Sequence, residues 1–349
     1  MTDQHQRVAE GAEAYQAGRD VTVNNGITIQ QMGEILSALS AHVSVFRDEA
    51  LAVANSRIAE FEQKVLEKFV DEKQADREAF KQPDFIAMLG KAQEQFVRAD
   101  DQNIGETLVD LIARRSQEPK RGRAALTLND AILRVGNLTA EELAGMSVAF
   151  LVRSTTSPGV YNIATLAVWI SSAHLKFVGD LADEFSSFLH IQSQGCGYLD
   201  HLTAPNLIDA LKQQHPLSFS AGFTREQLCT LLPADKADTL NGWIEPHWLN
   251  SERFMFRVPR AVLDHFLPRL LPAGPSVDEL VNLAQTEQIT HEAFAIEMEK
   301  QAPGFSALKE KWDTTGLKSL ILNSVGIAIA HANCKRVFAL DAPLEIWIK

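Results

Sequence analysis

From Glu34 to Gln82 the chain contains neither glycine nor proline, and these roughly fifty residues are rich in Ala, Glu, Leu and Lys. A segment so long without the two strongest breakers reads as one long helix or two nearly continuous ones. Its start is marked at Thr28-Ile-Gln-Gln31, where the Thr hydroxyl can accept from the third helical amide and the Gln side chain can reach back. Within it Leu51, Ala54, Ile58, Phe61, Val65 and Phe69 recur at spacings of three and four, while Glu60, Glu62, Lys64, Glu67 and Lys68 fill the other face. An apolar stripe of about three heptads needs an apolar partner. The partner is either the rest of the same chain or the same helix in a second copy, which would be a coiled coil.

Ahead of this helix, residues 1–27 are polar apart from Arg19-Asp-Val-Thr-Val-Asn-Asn-Gly26, which alternates β-branched and polar residues and closes on a turn signal. The pattern predicts a strand over residues 20–24, with Val21 and Val23 on one face. A lone strand cannot satisfy its own backbone groups. A remote strand or another chain must pair with it, so Val21, Val23, Leu51, Ile58, Phe61 and Val65 are the candidate oligomerisation residues.

Helices are expected to continue at Asp84–Arg98, Ile104–Arg115, Leu128–Val135 and Thr139–Val152, the last opened by a second capping box, Thr139-Ala-Glu-Glu142. After Ser157-Pro158-Gly159 an apolar run predicts a long helix from about Val160 to Phe188 as the spine of the core. Prolines then punctuate shorter elements. Phe254–Val258 and Leu344–Ile348 read as strands able to pair with each other, and helices are expected at Val277–Ala284, His291–Gln301, Phe305–Trp312 and Gly316–Val337. The predicted fold is mainly α. It is a multi-helix bundle with a long N-terminal amphipathic helix, a short N-terminal strand and a small β element near the C-terminus. Its segments are 1–27, the helix 28–82, a bundle 83–188 and a mixed helical unit 189–349.

Charge narrows the partners. With 33 Lys and Arg against 45 Asp and Glu, the formal charge is −12 over 349 residues, which argues against general attraction to phosphates. The cationic run Arg114 to Arg123 lacks interleaved aromatics and reads as a solvated loop. No nucleic-acid partner is expected. The first 27 residues lack the apolar core of a signal peptide, and no apolar stretch reads as a stable membrane anchor. Three scattered cysteines, Cys196, Cys229 and Cys334, fit a reducing compartment, so a cytoplasmic location is expected.

The search for chemistry returns little. Gly90-Lys91 lacks the rest of a phosphate loop, Gly195-Cys-Gly197 lacks the third glycine of a dinucleotide turn, and His291-Glu292 lacks the second histidine of a zincin. Gly145-Met-Ser147 sits inside a predicted helix rather than at a nucleophile elbow. One cluster stands out: His190, Cys196, Asp200 and His201 gather a thiol, an acid and two imidazoles beside Gly195 and Gly197. Neither CxxC nor HxxxH pairing occurs there, so no metal is expected, and no Lys or Arg lies between Phe177 and Leu211 to lower a thiol pKa. The reading is a glycine-rich turn with a buried cysteine, with Cys196, His190 and His201 as the catalytic candidates if an activity exists. Asp180, Asp183 and Glu184 read as a solvated helix face. No cofactor is expected.

Three stretches together resemble a known family: Gln16 to Thr28 ahead of a helix with Glu49-Ala50 and Ala54 to Arg57; Leu138-Thr-Ala-Glu-Glu-Leu143; and Asn323-Ser-Val-Gly-Ile-Ala-Ile329 with Leu344-Glu-Ile-Trp-Ile348. They are similar to the bacterial LPO/Vpar family, known by its locus tags. The resemblance spans nearly the whole chain, rests on structural motifs and carries no catalytic residues. The helices after residue 100 are also similar to bacterial abortive-infection proteins of the alpha type, which implies phage defence. The function read from these features is a non-enzymatic, self-associating helical protein, a homo-oligomer or one with a protein partner. A hydrolase built around Cys196 and a membrane-perturbing effector using the Val160 and Gly316 helices are the alternatives.

Overall fold

The computed structural model of the chain describes residues 29–70, 75–272 and 274–348, with side chains from Arg47 onward. The expected strand at residues 20–24, with Val21 and Val23, and the cap at Thr28 lie outside the described residues. Among those described, the fold is mainly helical. In chain order the helices begin with α1 (Ile29–Val70), α2 (Pro83–Arg98), α3 (Gln102–Ser116), α4 (Arg123–Val135), α5 (Ala140–Ser154), α6 (Ile163–Ser172) and α7 (Phe185–Ser193). Strand β1 (Gly197–Leu199) precedes α8 (Leu207–Gln214), α9 (Arg225–Leu231) and α10 (Ala234–Ala237). Then come β2 (Ile244–Pro246), β3 (Phe254–Phe256), α11 (Arg260–Leu270), α12 (Val277–Gln285), α13 (His291–Gln301), α14 (Phe305–Thr314), β4 (Leu320–Leu322) and α15 (Ser324–Phe338). The chain divides into two units, Met1–Ser56 and Arg57–Lys349.

Helix α1 forms as the absence of breakers demands, over 42 residues. Of its stripe, Phe61, Val65 and Phe69 are buried, and the Phe61 ring lies 5.3 Å from that of Phe96 on α2. Ala54 and Ile58 are half-buried, and Leu51 is 54% exposed.

The spine of the second unit is the pair α5 and α15, which pack on each other while α15 also packs on α3 and α4. A helix apolar on every side belongs in the interior. All residues from Glu142 to Val152 of α5 are buried, as are Val325, Gly326 and Ala328–Cys334 of α15. The few polar atoms between them satisfy one another: Asn333 Nδ2 donates to Ser147 Oγ at 2.8 Å, and Asn333 Oδ1 accepts from Arg336 Nη2 at 2.8 Å. The predicted box at Thr139 caps α5, with Glu142 N donating to Thr139 Oγ1 at 3.2 Å and Thr139 N to Glu142 Oε2 at 2.9 Å. A second core gathers Phe223, Leu228, Leu240, Phe256, Leu263 and Leu280 from α9, β3, α11, α12 and their loops.

Three expectations are corrected. The long helix from Val160 to Phe188 is interrupted: Asn162 caps α6, Ala173 departs from helical geometry (φ −116°, ψ −66°), and two 3-10 turns at His174–Lys176 and Val178–Asp180 lead to α7. Folding back there buries Phe177 and Leu181, which apolar periodicity alone assigned to one helix face. The helix expected over Gly316–Val337 begins only at Ser324, because Asn323 caps it, its Oδ1 accepting from Val325 N and Gly326 N at 3.0 Å each. The residues before the cap form β4, antiparallel to β1, with Tyr198 opposite Ile321. Finally, Phe254–Phe256 is a strand, but its partner is β2, with Glu245 opposite Met255. The C-terminal Leu344–Ile346 is a 3-10 turn instead. Leu344 and Ile348 are buried there and Trp347 Nε1 donates to Ser154 O at 2.6 Å, so the alternation marks anchor points rather than a pleat.

Candidate functional site

The His190–His201 segment leaves α7, turns through Gly195 and enters β1. Gly195 has φ +68°, a left-handed conformation that glycine adopts without strain. Its carbonyl accepts from Asn323 Nδ2 at 2.7 Å, and the Cys196 carbonyl accepts from Asn323 N at 3.2 Å. Gly197 and Gly326 allow the close approach: a Cβ on Gly197 would strike Ile321 O, and one on Gly326 would strike Cys196 O. The turn is thus sewn to the start of α15.

The four cluster residues do different things. Cys196 is fully buried, and its Sγ reaches only Gln194 O, at 3.9 Å, among its hydrogen-bond partners in the described residues. Burial pushes its thiol up to about 11, with Glu142 adding to the rise and Arg134 opposing it. At neutral pH it is a thiol, not a thiolate, and therefore a poor nucleophile. His190 Nδ1 donates to the buried Glu142 Oε1 at 2.7 Å, while its Nε2 accepts from Gln194 Nε2 at 3.1 Å, so both ring nitrogens are engaged. Asp200 closes its own turn, accepting from Leu202 N at 2.8 Å and from the Thr203 hydroxyl, and these bonds hold its carboxyl below the usual range. His201 is exposed, with its ring 5.9 Å from that of Phe185.

Two residues at this site come from other helices and escaped the sequence reading. Glu142 of α5 orients His190, and Arg134 of α4 donates from Nη1 to Gln194 O at 2.6 Å. Glu142 carried a signal as the third residue of its capping box; Arg134 carried none. Together they make a clasp joining α4, α5, α7 and α15, which is a holding arrangement. In the native protein, iodoacetamide at mildly alkaline pH is expected to label the exposed Cys229 and leave Cys196 and Cys334 unmodified until denaturant is added. Mass spectrometry showing native labelling of Cys196 would refute its role as a packed core residue.

Other charged candidates are also engaged. Within the cationic run, Arg115 is 1% exposed and donates to Asp84 Oδ2 at 2.7 Å, Asn129 Oδ1 at 2.8 Å and Glu118 O at 2.9 Å, so this part of the expected solvated loop is a core anchor. Arg114 holds Gln117, Glu118 and Glu345. Asp183 pairs with Lys311. Among the described residues, no group of three or more His, Cys, Asp or Glu is placed to hold a metal, and no helix is long and apolar enough to cross a membrane.

The surface around α1 differs from these satisfied sites. Phe61, Val65, Leu66, Phe80, Ile86 and Leu89 line an open cleft of about 470 Å³. Leu66, Phe80 and Ile86 are exposed there, and Val70 next to them is 72% exposed. The gathering of large exposed apolar side chains on one face sets this cleft apart from the polar sites.

A protein-family model whose description names no activity matches residues 26–348, nearly the whole chain. The chain belongs to this uncharacterised locus-tag family. The match begins at Gly26, so α1, the clasp and the C-terminal Trp347 anchor all lie within the family's span. No curated protein and no solved structure matches the chain.

Proposed function

We propose that this family member acts as a self-associating, non-enzymatic helical protein, with α1 of one copy pairing with α1 of a second. The observation that carries this reading is the uneven fate of the α1 stripe. Its C-terminal residues Phe61, Val65 and Phe69 are covered by their own unit, while Leu51 on the same stripe is 54% exposed and Ala54 and Ile58 are only half-buried. Helix α1 starts at Ile29, although the unit that buries its stripe starts at Arg57. Stable helices in water draw most of their stability from a packed apolar face. A second copy of α1 supplies one of matching length and period, and twofold pairing is the commonest form of self-association. The engaged side chains around Cys196 favour this reading over a hydrolase. Three unpaired cysteines fit a reducing compartment, and phage defence rests on the resemblance of the helices after residue 100.

Light scattering of the intact protein is expected to give a dimer or larger species, and Leu51→Glu a folded species of smaller mass. A monomer at all accessible concentrations overturns the reading. So does an oligomer unmoved by both Leu51→Glu and Ile58→Glu. A variant starting at Thr28 separates the contribution of residues 1–27 from that of α1.

A further inference from the structure

A second cleft, of about 190 Å³, opens between the two cores of the Arg57–Lys349 unit. One wall is the segment after α5 with Thr156, Ser157 and Val160; another is the end of α8 and the turn after it, with His215, Pro216 and Leu217; α11 and α12 close it with Arg260, Val281 and Gln285. His215 is 6% exposed, and among the described residues no hydrogen bond engages its imidazole. Its ring nitrogens are not among the fully enclosed unpartnered polar atoms, so they meet solvent in the cleft and are open to a ligand there. Among the described residues the exposed Thr156 hydroxyl and the half-buried Ser157 hydroxyl and Gln285 amide make no side-chain hydrogen bond, whereas Gln214 Nε2 donates to Arg153 O at 2.9 Å.

The charge in the cleft is already balanced. Arg260 Nη2 lies 2.5 Å from Asp278 Oδ1 and its Nε 3.6 Å from Asp264 Oδ2. An anion would have to displace these carboxylates, and a cation would meet the guanidinium. Burial holds His215 at about 4, so at neutral pH its ring is uncharged and offers one donor and one acceptor. Gln285 offers the same pair on a planar amide. Val160, Pro216, Leu217 and Val281 supply aliphatic walls. The volume lies below that of pockets for drug-sized ligands, which begin at about 300 Å³.

We propose that this cleft binds a small, uncharged heterocycle with adjacent donor and acceptor atoms, of the size and chemistry of a free nucleobase, held by His215 and Gln285. A nucleotide is excluded by size and by the lack of a free cation. The ligand would touch residues from both cores, so its binding would tie the α9–α12 lobe to the bundle. The proposal is independent of self-association, because every residue of the cleft lies in one copy.

Saturation-transfer NMR on the full-length protein tests it, with uracil and adenine as probes and acetate and glucose as controls. At least one base is expected to receive saturation and to shift the His215 ring nitrogens, and neither control is. His215→Phe and Gln285→Leu, each checked for native circular dichroism, are expected to bind about tenfold more weakly, the loss of roughly one buried hydrogen bond. Transfer to neither base overturns the proposal. Equal transfer to acetate does so too, by showing an anion site, as does binding unchanged in Gln285→Leu, which remains informative if His215→Phe fails to fold.

Discussion

Gly326→Ala is expected to remove a large part of the protein's stability. Gly326 lies in the first turn of α15, and the added Cβ would fall on the carbonyl oxygen of Cys196. That carbonyl cannot swing away cheaply, since it accepts from Asn323 N and its neighbour Gly195 O accepts from Asn323 Nδ2. Asn323 in turn caps α15, so retreat of the helix would break its own start. Backbone against backbone leaves no flexible side chain to absorb the overlap. The cost is expected to reach about 3 kcal/mol or more, the upper range for overpacked cores, against a total stability of roughly 5–15 kcal/mol. Gly90→Ala is the control: it sits in α2 with nothing within 4 Å of a new Cβ. There the change is expected to stabilise by about 0.5–1 kcal/mol, because alanine loses less backbone entropy in a helix. Urea denaturation of both variants measures the contrast, and a Gly326→Ala midpoint equal to wild type would remove the clasp as a structural keystone.

Acidification from pH 7 towards pH 4 is expected to destabilise the fold well before the bulk of its carboxylates protonate. His174 is 1% exposed, and among the described residues neither of its ring nitrogens has a hydrogen-bond partner; burial, and secondarily the neighbouring His215, push it down to about 3. Burial brings His215 to about 4. In the unfolded chain both titrate near about 6.5. Between that value and the folded values only the unfolded state takes up protons, so stability is fully present above about pH 6.5 and falls as the pH drops through the window. Each group contributes a slope of up to about 1.4 kcal/mol per pH unit, the two together up to about 3. His247 and His331, lowered mainly by burial, act in the same direction. Thermal unfolding at several pH values is expected to show the decline, and His174→Phe to flatten it. Equal stability at pH 7 and pH 5 would contradict the neutral burial of these rings.

The two predictions draw on features of unequal legibility. Thr139 with Glu142 was readable as a cap because every participant lies within one turn. Asn162 and Asn323 carry the same kind of local signal, each an N-cap side chain preceding an apolar run. The expected Gly316 helix overruns the cap at Asn323, whereas the expected Val160 helix overruns at its other end, past Ser172, where Ser172-Ala-His-Leu175 carries no breaker. The burial of His174 had no local signal, since its surroundings include Trp169 and His215, the latter brought in by the chain's later return. For the same reason the cluster around Cys196 looked more chemical in sequence than in space. Proximity along the chain placed Asp200 and His201 beside the thiol, but the turn directs Asp200 to Thr203 and sets His201 by Phe185, while Glu142 and Arg134 arrive from helices that the sequence does not connect to it.

By itself the sequence determined what depends on neighbours within about a turn of chain: the mainly α class, the breaker-free α1 with its apolar stripe, the capping box of α5, and the absence of a standard nucleotide or zincin motif. Tertiary structure decided whatever depends on pairing across long separations. The pairing of β1 with β4, the replacement of the expected Val160–Phe188 spine by α5 and α15, and the isolation of His215 in a cleft between two cores are of this kind. Caps and periodicity are energies of a single turn. Which buried faces meet is set by the packing of the whole unit, and no local pattern encodes it.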